Sequence, residues 1–155
     1  MLLPLFTAIS WLLIWIFVSI QNKLHILQNI YIFILTFLIE IHVYWIAIEE
    51  LNKIHVPHQT DKYLCYLLYR NIIFPLIIAI FINALTARKS LWGRILTTVC
   101  TISALTFIEI LCVSLNIFIY RNWNFYYSVI NILAMHILAY CLLSIYRKIF
   151  SIGVQ

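Results

Sequence analysis

Five stretches of apolar residues dominate the sequence, and each is long enough to cross the hydrocarbon core of a bilayer as a helix, which takes about 20 residues. They cover residues 2–20, 29–48, 64–87, 95–119 and 125–146. A transmembrane barrel would instead require short strands of alternating hydrophobicity, and the sequence contains no such pattern. We therefore predict an all-α polytopic membrane protein in which residues 1–155 form a single domain, a bundle of five transmembrane helices.

The composition excludes the soluble classes of protein. Hydrophobic residues make up 65% of the chain and charged residues 10%, whereas soluble domains are about half apolar and about a quarter charged. The four cysteines lie inside apolar stretches, with the spacing of neither a disulfide framework nor a zinc motif. The net charge of +5 comes from basic residues scattered through short loops, which is not the basic stripe of a nucleic-acid-binding surface. The expected surroundings are a lipid bilayer, with no nucleic acid.

The basic residues predict the orientation, because cytoplasmic loops are richer in Lys and Arg. If the five spans alternate in direction, six basic residues fall on one side: Lys23, Arg88, Lys89, Arg94, Arg147 and Lys148. The other side has three basic and three acidic residues: Lys53, Lys62, Arg121, Glu49, Glu50 and Asp61. This distribution predicts an amino terminus outside the cell and a carboxyl terminus in the cytoplasm. We expect the first span to stay uncleaved, because no basic residue precedes Lys23 and no small-residue cleavage site follows the apolar run.

Five ionisable residues fall within the predicted spans, namely Glu40, His42, Arg70, Glu109 and His136. An ionisable group in the hydrocarbon is costly, so each marks a functional or pairing position. Their depths, taken from the helical rise per residue, predict that Glu40 pairs with Arg70 and that Glu109 pairs with His136. Such pairs could join helices, carry protons or ions, or contact a ligand.

Helical periodicity adds three secondary candidates, which are His42, Glu49 and Asn116. His42 lies on the face of the second span opposite Glu40, in line with Glu49, so that span has polar groups on two sides. Asn116 ends a stripe of small and polar residues along the fourth span that also includes Glu109. A polar stripe of this kind is typical of a closely packed helix contact or of a pore wall.

Metal, haem and hydrolase sites receive little support from the sequence. His55, His58 and Asp61 are residue types that bind metals, but their spacing is common by chance and we expect a solvated loop. His42 and His136 could ligate a haem from two helices, although their predicted depths differ. The sequence has no nucleophile elbow, no HExxH and only two glycines, which excludes a glycine-rich phosphate loop. We predict no enzymatic activity and no cofactor.

The C-terminal half resembles a family of small, uncharacterised five-span membrane proteins from spore-forming Firmicutes. Four features carry the resemblance. They are an aromatic residue followed by Pro (Phe74-Pro75), an apolar residue followed by Glu (Ile108-Glu109), aromatic residues at the start of the fifth span (Trp123 with Phe125 and Tyr126) and a basic tail (Arg147-Lys148). It implies a location in the cytoplasmic membrane of a sporulating bacterium, and it brings no known activity.

The leading functional hypothesis is a non-enzymatic membrane subunit or accessory protein that assembles with itself or with other membrane components. It is based on the small soluble mass and on the polar groups on two sides of the second span. An alternative is a small channel or proton-coupled conductor that uses Glu40, Arg70, Glu109 and His136. A further alternative is a protein that binds haem or quinone.

Overall fold

The computed structural model describes residues 2–20 and 24–152, and helices account for most of them. The α-helices are α1 (Leu2–Ser19), α2 (Ile26–Trp45), α3 (Thr60–Leu68), α4 (Phe74–Ala87), α5 (Leu91–Ser114) and α6 (Phe125–Ile152). One π-helical turn, Ile46–Glu50, extends α2, and another, Tyr69–Ile73, joins α3 to α4. The described residues thus form five continuous helical segments that are long and apolar enough to span a membrane. The prediction of an all-α, five-span protein is confirmed.

The third segment, Thr60–Ala87, forms the centre of the bundle. Within its most apolar window 67% of residues are buried, against 11–33% in the other four segments. Helix α4 contacts α1, α2, α5 and α6. Pro75 lies one residue beyond Phe74, whose N–H closes the π-helical turn by bonding to the Tyr69 carbonyl five residues back. This widened turn accommodates proline, which has no N–H and crowds the carbonyl four residues before it.

Helix α5 ends at Ser114, so the predicted fourth span, 95–119, extends too far along the chain. Asn116 has a φ of +52°, a left-handed conformation that asparagine tolerates better than most residues. Its N–H bonds to the Val113 carbonyl at 3.0 Å, and the Ile117 N–H bonds to the Cys112 carbonyl at 2.9 Å. These two bonds form a Schellman motif. The assignment of Asn116 to an intramembrane polar stripe is therefore wrong, since it is an exposed residue that terminates the helix.

A two-stranded ribbon follows the ends of α2 and α5. Strand β1 (Ile54–His55) pairs antiparallel with β2 (Ile119–Tyr120). We call this end of the bundle the ribbon end. The opposite end, called the basic end, carries the side chains Arg88, Lys89, Arg94, Arg147 and Lys148. Lys23, which was counted with this group from the sequence, lies outside the described residues.

An aromatic cluster packs beneath the ribbon and fixes it to the helices. Phe118 is fully buried, and its ring lies 5.9–6.3 Å from the rings of Tyr44, Tyr66, Tyr69 and Tyr120. Aromatic pairs at this distance contribute about 0.5–1.5 kcal/mol each beyond the area that they bury. The cluster therefore holds the ribbon rigidly against α2 and the third segment.

Candidate functional site

Glu40 lies in the interior of the bundle and is fully buried. Its Oε2 accepts a long hydrogen bond of 3.4 Å from the Asn131 side chain of α6, and its Oε1 has no partner among the residues that the structure describes. Arg70 instead donates to the Tyr66 hydroxyl and to the Asn71 side chain, each at 3.0 Å. The predicted Glu40–Arg70 pair is therefore wrong. The flexible arginine side chain places its charge toward the polar surface, over the Tyr66 ring at 5.0 Å.

Glu109 is the acceptor at the end of a chain of hydrogen bonds at the ribbon end. The Tyr120 hydroxyl donates to Glu109 Oε1 at 2.7 Å, so the Ser128 hydroxyl must donate to Tyr120 across their 2.9 Å contact. The Trp123 Nε1–H in turn donates to Ser128 Oγ at 2.8 Å. Burial raises the pKa of Tyr120 well above its usual value, so this phenol keeps the proton that it donates. The chain of bonds joins α5, β2 and α6.

His136 does not pair with Glu109, and this second predicted pair is also wrong. Its Nδ1 lies 2.7 Å from the Ile132 carbonyl, which can only accept, so Nδ1 donates. Its Nε2 lies 3.1 Å from the Thr101 hydroxyl. Thr101 and Glu109 lie on the same helix, about 12 Å apart along its axis. The depths read from the sequence placed both partners near the midplane and missed this separation.

The structure does not bring the remaining predicted residues together as a haem or metal site. His42 is exposed and bonds to the Leu38 carbonyl of its own helix at 2.7 Å, whereas His136 is buried. The rings of His55 and His58 are 6.3 Å apart. Asp61 is exposed in the first turn of α3, where a carboxylate complements the helix dipole. Across residues 2–20 and 24–152, no three His, Cys, Asp or Glu side chains are grouped as a metal site requires.

Sequence reasoning missed the neutral partners because it sought partners for the buried carboxyl groups only among ionisable residues. Ser128 and Asn131 lie three residues apart, on one face of α6, and each contacts one of the buried carboxyl groups or its hydrogen-bonded neighbour. A second neutral contact joins α2 to α4, where the Asn83 side chain donates to Asn29 Oδ1 at 2.5 Å. The i, i+3 spacing on α6 is a signal that could have revealed the first group.

A cavity of about 360 Å³ opens at the ribbon end and is the candidate functional site. We call it the ribbon-end cavity and define it by Trp45, His55, His58, Tyr66, Arg70 and Arg121. Arg70 is half-buried in its wall, where the two hydrogen bonds to Tyr66 and Asn71 fix its guanidinium. Among the described residues no carboxylate forms a hydrogen bond with it. Glu49 also lines the cavity and is exposed.

A scan of the chain against protein-family models finds no match, and searches of curated proteins and of solved structures find none either. The choice of a function therefore rests on the ribbon-end cavity and on the buried polar residues.

Proposed function

We propose that this chain is a non-enzymatic accessory protein of a bacterial plasma membrane, which associates with itself or with other membrane proteins and binds a small anion in the ribbon-end cavity. The basic end lies in the cytoplasm, as the positive-inside rule favours, so the amino terminus and the cavity face outward. The resemblance of the C-terminal half supports a location in the cytoplasmic membrane of a spore-forming bacterium.

The half-buried guanidinium of Arg70 is the observation that carries the proposal. Arginine has five N–H donors in a planar fork that matches a carboxylate or a phosphate. In Arg70 the Nε and one Nη hydrogen are occupied by neutral partners, which orient the group and leave the other donors for a ligand. Arg121 adds a second positive charge to the same cavity, which His55 and His58 also line.

Two further features of the lining narrow the class of ligand. Trp45 and Tyr63 line the cavity together with the charged groups, and their rings suit an anion that carries an apolar or aromatic body. Glu49 contributes a negative charge to the same lining, which disfavours anions of high charge. A singly charged aromatic or aliphatic carboxylate fits both features.

Calorimetric titration of the full-length protein, in nanodiscs of phosphatidylcholine, tests the anion site with benzoate and inorganic phosphate as probes. We expect benzoate to bind, and Arg70→Gln to weaken binding by roughly 10- to 150-fold, since a hydrogen bond to a charged group contributes about 1.5–3 kcal/mol. Arg88 lines neither the ribbon-end cavity nor the cavity at its own, basic end of the bundle; Arg88→Gln is the matched control and should leave the affinity unchanged. Absence of binding, or equal affinity in the Arg70 variant, would contradict the proposal.

Association with other proteins is tested separately, by cross-linking and by native mass spectrometry in a mild detergent. We expect species larger than the monomer, either oligomers of this chain or complexes with co-purifying membrane proteins. A strictly monomeric protein without partners would contradict this part of the proposal and would leave the anion site unaffected.

A second candidate function, a proton-coupled conductor, is favoured by the unpartnered Oε1 of the buried Glu40. A cavity of about 10 Å³ beside Glu109, Ser128 and Asn131 is close to the room that one water molecule needs. A water there would lie beside Glu109 and Asn131, and the Asn131 amide donates to Glu40. Proton flux into liposomes, compared between the wild type and Glu109→Gln, is the test. Equal background leakage in both proteins would contradict it.

A further inference from the structure

A second cavity, of about 470 Å³, lies at the basic end between α4, α5 and α6. We call it the basic-end cavity and define it by Phe81, Arg94, Thr98, His136, Ser144 and Arg147. The buried side chains of Phe81 and Leu143 form an apolar wall deep in this cavity. Its two arginines come from different helices, Arg94 from the first turns of α5 and Arg147 from the last turns of α6.

Both arginines are exposed, and neither has an acidic partner. The Arg94 Nε donates to the Arg88 carbonyl at 3.1 Å, which holds its guanidinium at the cavity while the Nη groups stay available. Arg147 forms no hydrogen bond or ion pair within the described part of the chain. Two positive charges that face one cavity repel each other unless an anion lies between them.

That anion cannot be an acidic side chain of this protein. The chain has five acidic residues, and all lie at the ribbon end or in the half of the bundle next to it: Glu40, Glu49, Glu50, Asp61 and Glu109. The basic end has no acidic side chain. Acidic side chains of the chain therefore do not balance this charge, and for a membrane protein the lipid head groups are a near source of negative charge.

The shape of the basic-end cavity selects a lipid over a soluble anion. Ile137 and Tyr140 belong to its lining and are 66% and 51% exposed, so the cavity opens sideways along α6 to the surface that lipid covers. The charged groups lie near the helix ends, at the level of the head groups, and the apolar lining extends toward the bilayer interior. Basic pockets between transmembrane helices on the cytoplasmic side are typical binding sites for anionic lipids.

We propose that the basic-end cavity binds one anionic phospholipid, with its phosphodiester between Arg94 and Arg147 and an acyl chain along Ile137 and Tyr140. The hydroxyls of Thr98 and Ser144 bond to carbonyls of their own helices, so the arginines supply the donors for the phosphate. This site is separate from the ribbon-end cavity and does not depend on the function proposed for it.

Native mass spectrometry of the full-length protein in detergent, titrated with dioleoyl phosphatidylglycerol or dioleoyl phosphatidylcholine, tests the proposal. We expect one phosphatidylglycerol to bind at least tenfold more tightly than phosphatidylcholine, and Arg94→Gln with Arg147→Gln to abolish that preference. The matched control, Arg88→Gln with Lys89→Gln, removes the same charge from the same end and should change the affinity less than twofold. Equal losses in both double variants, or no preference in the wild type, would overturn the proposal.

Two more measurements separate the possible sources of the anion and guard against misfolding. Inorganic phosphate at millimolar concentration should not displace the lipid, and displacement would assign the site to free phosphate instead. Ser144→Trp keeps both arginines and fills the cavity from an exposed position, so it should reduce phosphatidylglycerol binding at least tenfold. Undiminished binding to this variant would show that the lipid is attracted by surface charge alone and would overturn the site.

Discussion

The replacement of Glu40 by Met gives the sharpest test of the buried carboxyl groups. The side chain is fully buried, and its Oε1 has no partner in the described part of the chain. A buried polar atom without a partner costs about 1–3 kcal/mol. The 3.4 Å contact from Asn131 is longer than an ordinary hydrogen bond of about 2.7–3.2 Å, and an interhelical bond of this type contributes on average about 0.6 kcal/mol in a membrane bundle.

Methionine has a similar length and no strongly polar atom, so Glu40→Met should raise the free energy of unfolding by about 0.5–2 kcal/mol. The assay is reversible unfolding in mixed micelles by titration with sodium dodecyl sulfate, followed by far-ultraviolet circular dichroism. Free energies of unfolding are compared at a fixed mole fraction of the denaturing detergent.

Glu109→Met is the matched control, and for this variant we expect the free energy of unfolding to fall. Its Oε1 accepts a 2.7 Å bond from Tyr120, so the change removes an acceptor from a half-buried phenol and should lower the free energy of unfolding by about 1–2 kcal/mol. A loss of 1 kcal/mol or more in Glu40→Met would refute the reasoning, because the carboxyl group would then have a stabilising partner such as a bound water or cation.

Three other substitutions test the packing, each by the same unfolding titration. Asn116→Val should lower the free energy of unfolding by about 1–2 kcal/mol, because φ is +52° at this position. Asn116→Gly should leave it nearly unchanged, and an equal loss in both variants would contradict the left-handed cap. Asn83→Leu should lower the free energy of unfolding by about 0.6–1.7 kcal/mol. Asn29→Leu should lower it little further in the Asn83→Leu protein, because the two side chains share one hydrogen bond, and additive losses would contradict that bond. Phe118→Ala should lower the free energy of unfolding by about 3–5 kcal/mol and weaken the near-ultraviolet circular dichroism of the tyrosines. An unchanged near-ultraviolet spectrum would contradict the aromatic cluster.

The five spans could be predicted because their signal is carried by runs of residues and not by single contacts. Apolar stretches of about 20 residues leave few alternatives to a transmembrane helix. The ends of the spans are less predictable because single residues determine them. Apolar residues continue past Ser114 to Ile119, but the left-handed turn at Asn116 ends the helix within that run.

The partners of the buried groups could not be predicted, because pairing depends on the rotation and the offset of each helix. The depth of a residue along its helix does not say which neighbouring helix its side chain faces. The two π-helical turns also change the direction in which nearby side chains face. Glu40 meets Asn131 and Glu109 meets Tyr120, and both partners are neutral. A search confined to charges of opposite sign could not find them.

The two π-helical turns determine which charged side chains line the ribbon-end cavity. Glu49 belongs to one of these turns and Arg70 to the other, and both line the cavity. A π-helical turn accommodates one inserted residue in an α-helix, and each residue of an α-helix advances it by about 100°. Deletion of one residue from Tyr69–Ile73 would restore the regular helix and swing Arg70 away from the opening relative to α4. The widened turns thus bring an acidic and a basic side chain from two separate helical segments to the same opening.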